Sequence, residues 1–211
     1  MARILDAKCR KCRRAKEKLF LKGDRCNSPK CAVVKRPNAP GVHGKKTGRA
    51  LSEYGNQLAI KQKMKRIYGV LEKQFQKHFN DIKSKPGVTG DNLLSRLEMR
   101  LDNVVYRMGL ASSRTQARQI VNHSLINVNG KRLNIPSAEV KAGDVISISS
   151  SKKDKKYFKN LAENINKEKK ELPAWINFDV QKMEGKVLRT PTREDVGINV
   201  DVQVVVEYYS R

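Results

Sequence analysis

Apolar positions fall into a helical rhythm over two long stretches of the chain. Leu94, Leu97, Leu101, Val104, Val105 and Met108 recur at spacings of three and four, which predicts one long amphipathic helix. Thr89 or Asp91 can start it and Gly109 stops it. Arg96, Arg100 and Arg107 lie off the stripe, so Glu98 and Asp102 beside them read as surface ion-pair partners. Upstream, Leu71, Phe75, Phe79 and Ile82 share a face over 71–85, and Pro86-Gly87 ends that helix. Ser52 caps a further helix that runs to Tyr68 and closes at Gly69. Ser113 with Gln116 predicts a capping box for a short helix to about His123, with Ala117, Ile120 and Val121 inward.

Downstream the rhythm changes to alternation. Asn129-Gly130 takes the positive backbone angles of a two-residue hairpin, with Ile126 and Val128 on one arm and Leu133 and Ile135 on the other. A strand over 145–148 follows the turn at Gly143-Asp144, after which 149–156 reads as a polar, lysine-rich link. Tyr157, Phe158, Leu161 and Ile165 suggest a helix. Ile176, Phe178 and Val180 suggest a strand beside Trp175, whose indole is expected to pack rather than stack on a base. The stretch 200–209 fits helix and strand alike, with propensity favouring strand.

Charge narrows the partner. The 211 residues carry 45 Lys and Arg against 21 Asp and Glu, a formal net charge of +24. Such an excess repels itself in a compact state and is tolerated when the working partner is a polyanion. Basic residues run the whole length, whereas an anionic membrane surface needs only a short polybasic patch. No window is apolar over the roughly 20 residues that span a bilayer, and the N-terminus lacks the apolar core of a secretory signal. A cytoplasmic, reducing location and no membrane partner are therefore expected.

That expectation decides how four cysteines are read. Cys9, Cys12, Cys26 and Cys31 have the spacing C-x2-C-x13-C-x4-C, two close pairs joined by a linker, as a tetrahedral metal site requires. Zinc is the first reading and an iron-sulfur cluster the alternative, since four thiolates suit both. With all four positions filled by protein, zinc would be structural. Arg10, Lys11, Arg13, Arg14, Lys22 and Arg25 lie among the ligands, so the knuckle would be a rigid holder of cations.

The segment 33–49 is a proline- and glycine-broken basic loop carrying Lys35, Arg36, His43, Lys45, Lys46 and Arg49. His43 there reads as a phosphate or base contact or plain surface, not a catalyst. In the helix after Ser52, Lys61, Lys63, Lys65 and Arg66 crowd the C-terminal half with no Asp or Glu between Gln57 and Val70, which suggests phosphate contact. On the short helix, Arg114, Gln116, Arg118, Gln119 and Asn122 are left outward, the arginines placed for phosphates, while Gln119, Asn122 and His123 could reach base edges or sugars. Arg100, Tyr54, Asn129 and Lys131 complete the candidate nucleic-acid-binding set. The chain has no Walker-type loop, dinucleotide fingerprint or nucleophile-base arrangement with plausible context, so no enzyme and no small-molecule substrate are expected.

The run Arg100-Leu101-Asp102-Asn103-Val104-Val105-Tyr106-Arg107-Met108-Gly109, with Ser113-Arg114, Ala117-Arg118-Gln119, Val128-Asn129-Gly130 and Gly143-Asp144, resembles the RNA-binding module named after ribosomal protein S-four. Cys9 to Cys31, Pro40-Gly41-Val42-His43-Gly44, Lys61-Gln62-Lys63, Arg66-Ile67-Tyr68-Gly69 and the terminal Val206-Glu207-Tyr208-Tyr209-Ser210-Arg211 resemble the bacterial-type S-four family itself, in the branch that keeps metal-binding cysteines. The resemblance implies a primary binder of small-subunit rRNA that nucleates 5′-domain assembly, contacts ribosomal protein S-five and contributes to translational accuracy. It implies that Lys45, Lys46 and Arg49 line the channel through which mRNA enters, and that the last stretch is a short helix. Many copies of the module place Gly after the second helix where this chain has Ser124. A positive φ there would cost the serine roughly 1 kcal/mol.

The expected class is α+β: a four-cysteine knuckle plus helical domain over 1–98, then a helix-turn-helix and β-hairpin RNA-binding module in a small antiparallel-sheet domain over 99–163. A C-terminal segment over 164–211 would pack back on both.

Overall fold

The computed structural model describes residues 4–45, 50–153, 155–158, 160–161, 172–198 and 200–211. It divides into two compact units, 1–93 with 198–211, and 94–197. The segment 164–211 thus supplies two strands and a short helix to the second unit and its final helix to the first. Lys46, Arg49 and Ile165 lie outside the described residues.

In the first unit, α1 (Lys8–Ala15) and two single turns, α2 (Asp24–Asn27) and α3 (Ala32–Lys35), carry the cysteine region. The basic stretch 33–49 is therefore not all loop, since α3 reaches Lys35 and a 3-10 turn spans Val42–Lys45. Helix α4 (Glu53–Tyr68) starts where the Ser52 hydroxyl accepts the Gly55 N–H at 3.2 Å. It ends where Gly69 turns left-handed at φ 65° and lets the last carbonyls be capped, as Val70 N–H donates to Lys65 O at 3.1 Å. Helix α5 (Glu72–Lys83) buries Phe75, Phe79 and Ile82 and stops short of Pro86-Gly87. The C-terminal valine run is helical, α10 (Val202–Ser210). Tertiary packing overrides its strand propensity: Val202 and Val205 are buried three residues apart, and the Tyr209 ring stacks on Phe79 at 4.8 Å.

The predicted long helix is two helices, α6 (Thr89–Glu98), which begins in the first unit, and α7 (Leu101–Arg107). The break has a cause in pairing. Arg100 is extended (φ −71°, ψ 136°) and bridges Glu139, while Val140 N–H donates to Met99 O and Leu101 N–H to Ala138 O, both at 2.9 Å. The apolar stripe continues through the break, so periodicity alone does not reveal it. Gly109 at φ 78° ends the pair, and α8 (Arg114–Asn122) follows.

The second unit is built on a five-stranded antiparallel sheet of order β2-β1-β3-β5-β4. Strand β1 (Ile126–Val128) turns at Asn129-Gly130 (φ 50° and 76°) into β2 (Lys131–Arg132), which is shorter than the expected arm. Leu133 and Ile135 lie beyond it. Strands β3 (Val145–Ile148), β4 (Ile176–Asp179) and β5 (Glu184–Val187) complete the sheet, and Val180 falls in the turn after β4. The polar link contains a 3-10 turn over Ser150–Lys152. Neither β5 nor the single turn α9 (Arg193–Val196) stood out in the sequence. Ile126, Ile146, Phe178 and Val187 face a core shared with α7, α8, Phe158 and Trp175, whose indole is fully buried as expected.

Candidate nucleic-acid interface and cysteine cluster

Helix α8 projects its polar face because Ala117, Ile120 and Val121 anchor the other one in the core. The Ser113 hydroxyl accepts Gln116 N–H at 3.4 Å, but the Gln116 carbonyl takes Ser112 N–H and Oγ, so only half of the predicted capping box forms. Gln119, Asn122 and His123 are exposed at the far end of α8, as are Asn129 and Lys131 at the hairpin. Ser124, just after α8, has φ 55°, the left-handed geometry for which glycine is the easier residue.

Four arginines of this unit, Arg100, Arg107, Arg114 and Arg118, are tied to two buried acids. Glu98 is fully buried and accepts Arg107 Nε and Nη2 at 2.8 and 2.9 Å and Asn103 Nδ2 at 2.8 Å, with Arg114 Nη2 at 3.8 Å. Asp102, 5% exposed, takes Arg100 in a two-pronged pair at 3.1 and 2.9 Å and Arg118 at 3.2 Å. These acids are not surface ion-pair partners, as their spacing beside arginines suggested; the helix break turns them inward. Arg100, itself 5% exposed, is therefore a buried structural cation. Arg114 lies 4.6 Å over the Tyr106 ring and donates to Asn103 at 2.7 Å. Arg114 and Arg118 are half-buried, Arg114 held at Nε by Asn103 and Arg118 at Nη1 by Asp102. A guanidinium so fixed loses little rotamer freedom when a phosphate docks on it.

The lysines of helix α4 are also paired, by acids distant in sequence. Lys61, 4% exposed, meets Glu72 at 2.6 Å; Lys65 meets the same carboxylate at 2.9 Å, and Lys63 meets Glu17 at 2.9 Å. The absence of acids between Gln57 and Val70 thus did not leave these lysines uncompensated. Lys61 Nζ also lies 4.2 Å from the Tyr208 ring centre, and Tyr209 donates to Glu72 at 2.9 Å. Burial raises the Tyr209 pKa and the adjacent carboxylate raises it further. Tyr54 is exposed, its hydroxyl 3.3 Å from that of Tyr208.

Other cations of the first unit, Arg66 of α4 among them, crowd together. Burial lowers the Arg66 pKa, and the nearby Arg14 lowers it further; burial and then Lys22 do the same to Lys8. Arg10, Arg14, Lys22, Arg25, Lys35, Arg36, His43 and Lys45 are exposed. Lys11 reaches Asp6 at 3.4 Å, and Arg13 donates to the carbonyls of Asn38 and Ala39 at 2.9 and 3.3 Å, tying the basic stretch to α1.

All four cysteines are free thiols lining one pocket, with Lys8, Lys22 and Arg25 among its other walls and no carboxylate or imidazole there. Burial pushes the Cys12 thiol up; a backbone hydrogen bond at Leu19 opposes this, and Cys26, Cys9 and Cys31 push it further. The Lys22 N–H points at the Cys26 sulfur at 3.3 Å. Among the described residues no three Cys, His, Asp or Glu side chains are grouped as a metal site. The donor set, four thiols on one pocket, suits a thiophilic ion in kind.

Sequence comparison places these features in a class. Residues 3–98 match the family described as ribosomal protein S4/S9 N-terminal domain, and residues 99–146 match the S4 domain. This is the two-part build of a ribosomal protein of the S4 class. Over 211 residues, covering all of both chains, the sequence is 52% identical to small ribosomal subunit protein uS4 of Halothermothrix orenii. It is 51% identical over the same full coverage to the uS4A proteins of Alkaliphilus oremlandii and Clostridium botulinum. The chain belongs to the small ribosomal subunit protein uS4 family, whose members are structural proteins rather than enzymes.

Proposed function

We propose that this protein is a structural constituent of the small ribosomal subunit in the cytoplasm, bound to rRNA mainly through phosphate contacts. The observation that carries this is the α8 face in the second unit. Half-buried Arg114 and Arg118 are fixed by Glu98 and Asp102, next to exposed Gln119, Asn122 and His123. Fixed cations suit a folded RNA backbone, and the amides and imidazole supply adaptable hydrogen bonds to sugars and base edges. The surplus of cations over the whole chain, +24, supplies affinity that falls with salt.

In the finer reading, the protein binds early to the 5′ domain and nucleates its assembly, and it contacts ribosomal protein S-five where decoding accuracy is set. Lys45, with Lys46 and Arg49, lines the path of incoming mRNA. Cys9, Cys12, Cys26 and Cys31 hold zinc, which would knit α1 to the turns around α2 and α3 in a segment with little apolar core. An iron-sulfur cluster is the alternative occupant of the same thiols.

The test is binding of the purified chain to the isolated 5′ domain of small-subunit rRNA across a salt series. Tight binding that outcompetes an unstructured RNA of equal length, with affinity falling steeply in salt, is expected. Equal affinity for both RNAs would overturn the assignment of a specific rRNA binder. Elemental analysis of the same preparation should find one zinc per chain; iron with visible absorption would identify a cluster, and neither metal would remove the metal reading.

A further inference from the structure

Asn129-Gly130 is the only Asn-Gly step in the chain. It forms the exposed hairpin tip, with both residues at positive φ. An asparagine amide followed by glycine is open to attack by the next backbone nitrogen, because glycine puts no side chain in the way. Here the amide is held elsewhere. Its Oδ1 accepts Val145 N–H at 2.9 Å and its Nδ2 donates to Asp144 Oδ1 at 2.8 Å, while Asp144 Oδ2 accepts Lys141 N–H at 2.7 Å. Both bonds direct the Asn129 amide toward the start of β3, whereas attack requires its Cγ to swing onto the Gly130 nitrogen. All three bonds are exposed, so water competes for them and the clamp opens locally.

We propose that Asn129 is a deamidation site whose rate is set by the Asp144 clamp. When the clamp opens, the Gly130 nitrogen gives its proton to solvent and bonds to Asn129 Cγ. The Cγ–Nδ2 bond breaks, ammonia leaves, and a five-membered cyclic imide forms. Water then opens the imide at either carbonyl, leaving aspartate or isoaspartate; nothing is oxidised or reduced. The product carboxylate faces Asp144 where the amide had donated to it, so like charges meet and the clamp does not re-form. The hairpin tip thereby gains a negative charge two residues from Lys131, on the surface assigned above to rRNA. The chemistry itself does not depend on that assignment.

Full-length wild type, Asp144→Ala and Asp144→Asn are incubated at mildly alkaline pH, with a wild-type sample in concentrated urea, and followed by intact mass and by peptide mapping that separates aspartate from isoaspartate. A gain of about one dalton at Asn129 is expected. Asp144→Ala should react roughly tenfold faster than wild type, the factor equivalent to about 1.4 kcal/mol, the size of one hydrogen bond. Asp144→Asn keeps an acceptor for Nδ2 and should stay near the wild-type rate, which separates loss of the clamp from loss of charge. Equal rates in wild type and Asp144→Ala, a product located elsewhere, or no product even in urea would each overturn the proposal.

Discussion

Glu72 offers a substitution that separates charge pairing from plain packing. Its carboxylate takes Lys61 at 2.6 Å, and Lys65 and the Tyr209 hydroxyl at 2.9 Å each. Burial alone would raise its pKa, but the three hydrogen bonds outweigh burial and hold the carboxyl at about 2 instead of 4.5. A depressed folded pKa contributes stability that is complete above the unfolded pKa and is lost as pH falls through the folded one. The window therefore runs from about 4.5 down to about 2. A difference of that size is equivalent to about 3.4 kcal/mol. With 41% of the side chain exposed, screening by solvent reduces it to about 1–2 kcal/mol. Glu72→Gln should lower the stability of the first unit by that amount at neutral pH, and the gap should narrow below pH 4.5 as the wild-type carboxylate itself protonates. Urea denaturation followed by far-ultraviolet circular dichroism measures the gap, and hydrogen exchange of α4 and α10 locates it. Trp175, the only tryptophan, reports the second unit separately. A gap that stays constant from neutral to acid pH would refute the reasoning, because a lost packing contact does not titrate.

Changing Arg114 and Arg118 together to Ala should weaken rRNA binding and reduce the slope of log affinity against log salt by about 2 if each neutralises one phosphate; an unchanged slope would make them purely internal partners of Glu98 and Asp102. Gly185→Ala would bring a methyl to 2.6 Å from Met108 Cε and 3.1 Å from Phe178 Cδ2, both in the core, and should cost about 1–3 kcal/mol, read from the Trp175 fluorescence transition. Ser124→Gly should stabilise the second unit by about 0.5 kcal/mol through relief of its positive φ, offset by the extra freedom glycine gives the unfolded chain, and a loss of stability would show that the serine side chain contributes more than its backbone costs. With zinc on the four thiols as proposed, chelation should raise hydrogen exchange over α1 to α3 and leave α7 and α8 protected; equal loss of protection in all five would make that metal a keystone for the whole chain.

The sequence by itself determined the elements whose signals are local. The helices at Glu53–Tyr68 and Arg114–Asn122 were legible from Ser52, Gly69 and Ser113, because caps and stops act within a few residues. The hairpin followed from Asn129-Gly130, which alone demands two positive backbone angles. The four thiols on one pocket were foreshadowed by spacing, since close pairs are brought together by the turns between them. Tertiary structure decided what depends on neighbours remote in sequence. It broke the helix at Arg100, where 136–140 takes the backbone bonds, and it made a helix of a valine run that packs against α4 and Phe79. It also decided which basic residues are held by acids. Glu72 and Glu17 reach Lys61, Lys65 and Lys63 from other elements, and Glu98 and Asp102 turn inward to claim Arg100, Arg107, Arg114 and Arg118. A count of charges along the chain carries no information on such pairing, because Coulomb energy depends on distance and burial, and both are set only when the chain has folded.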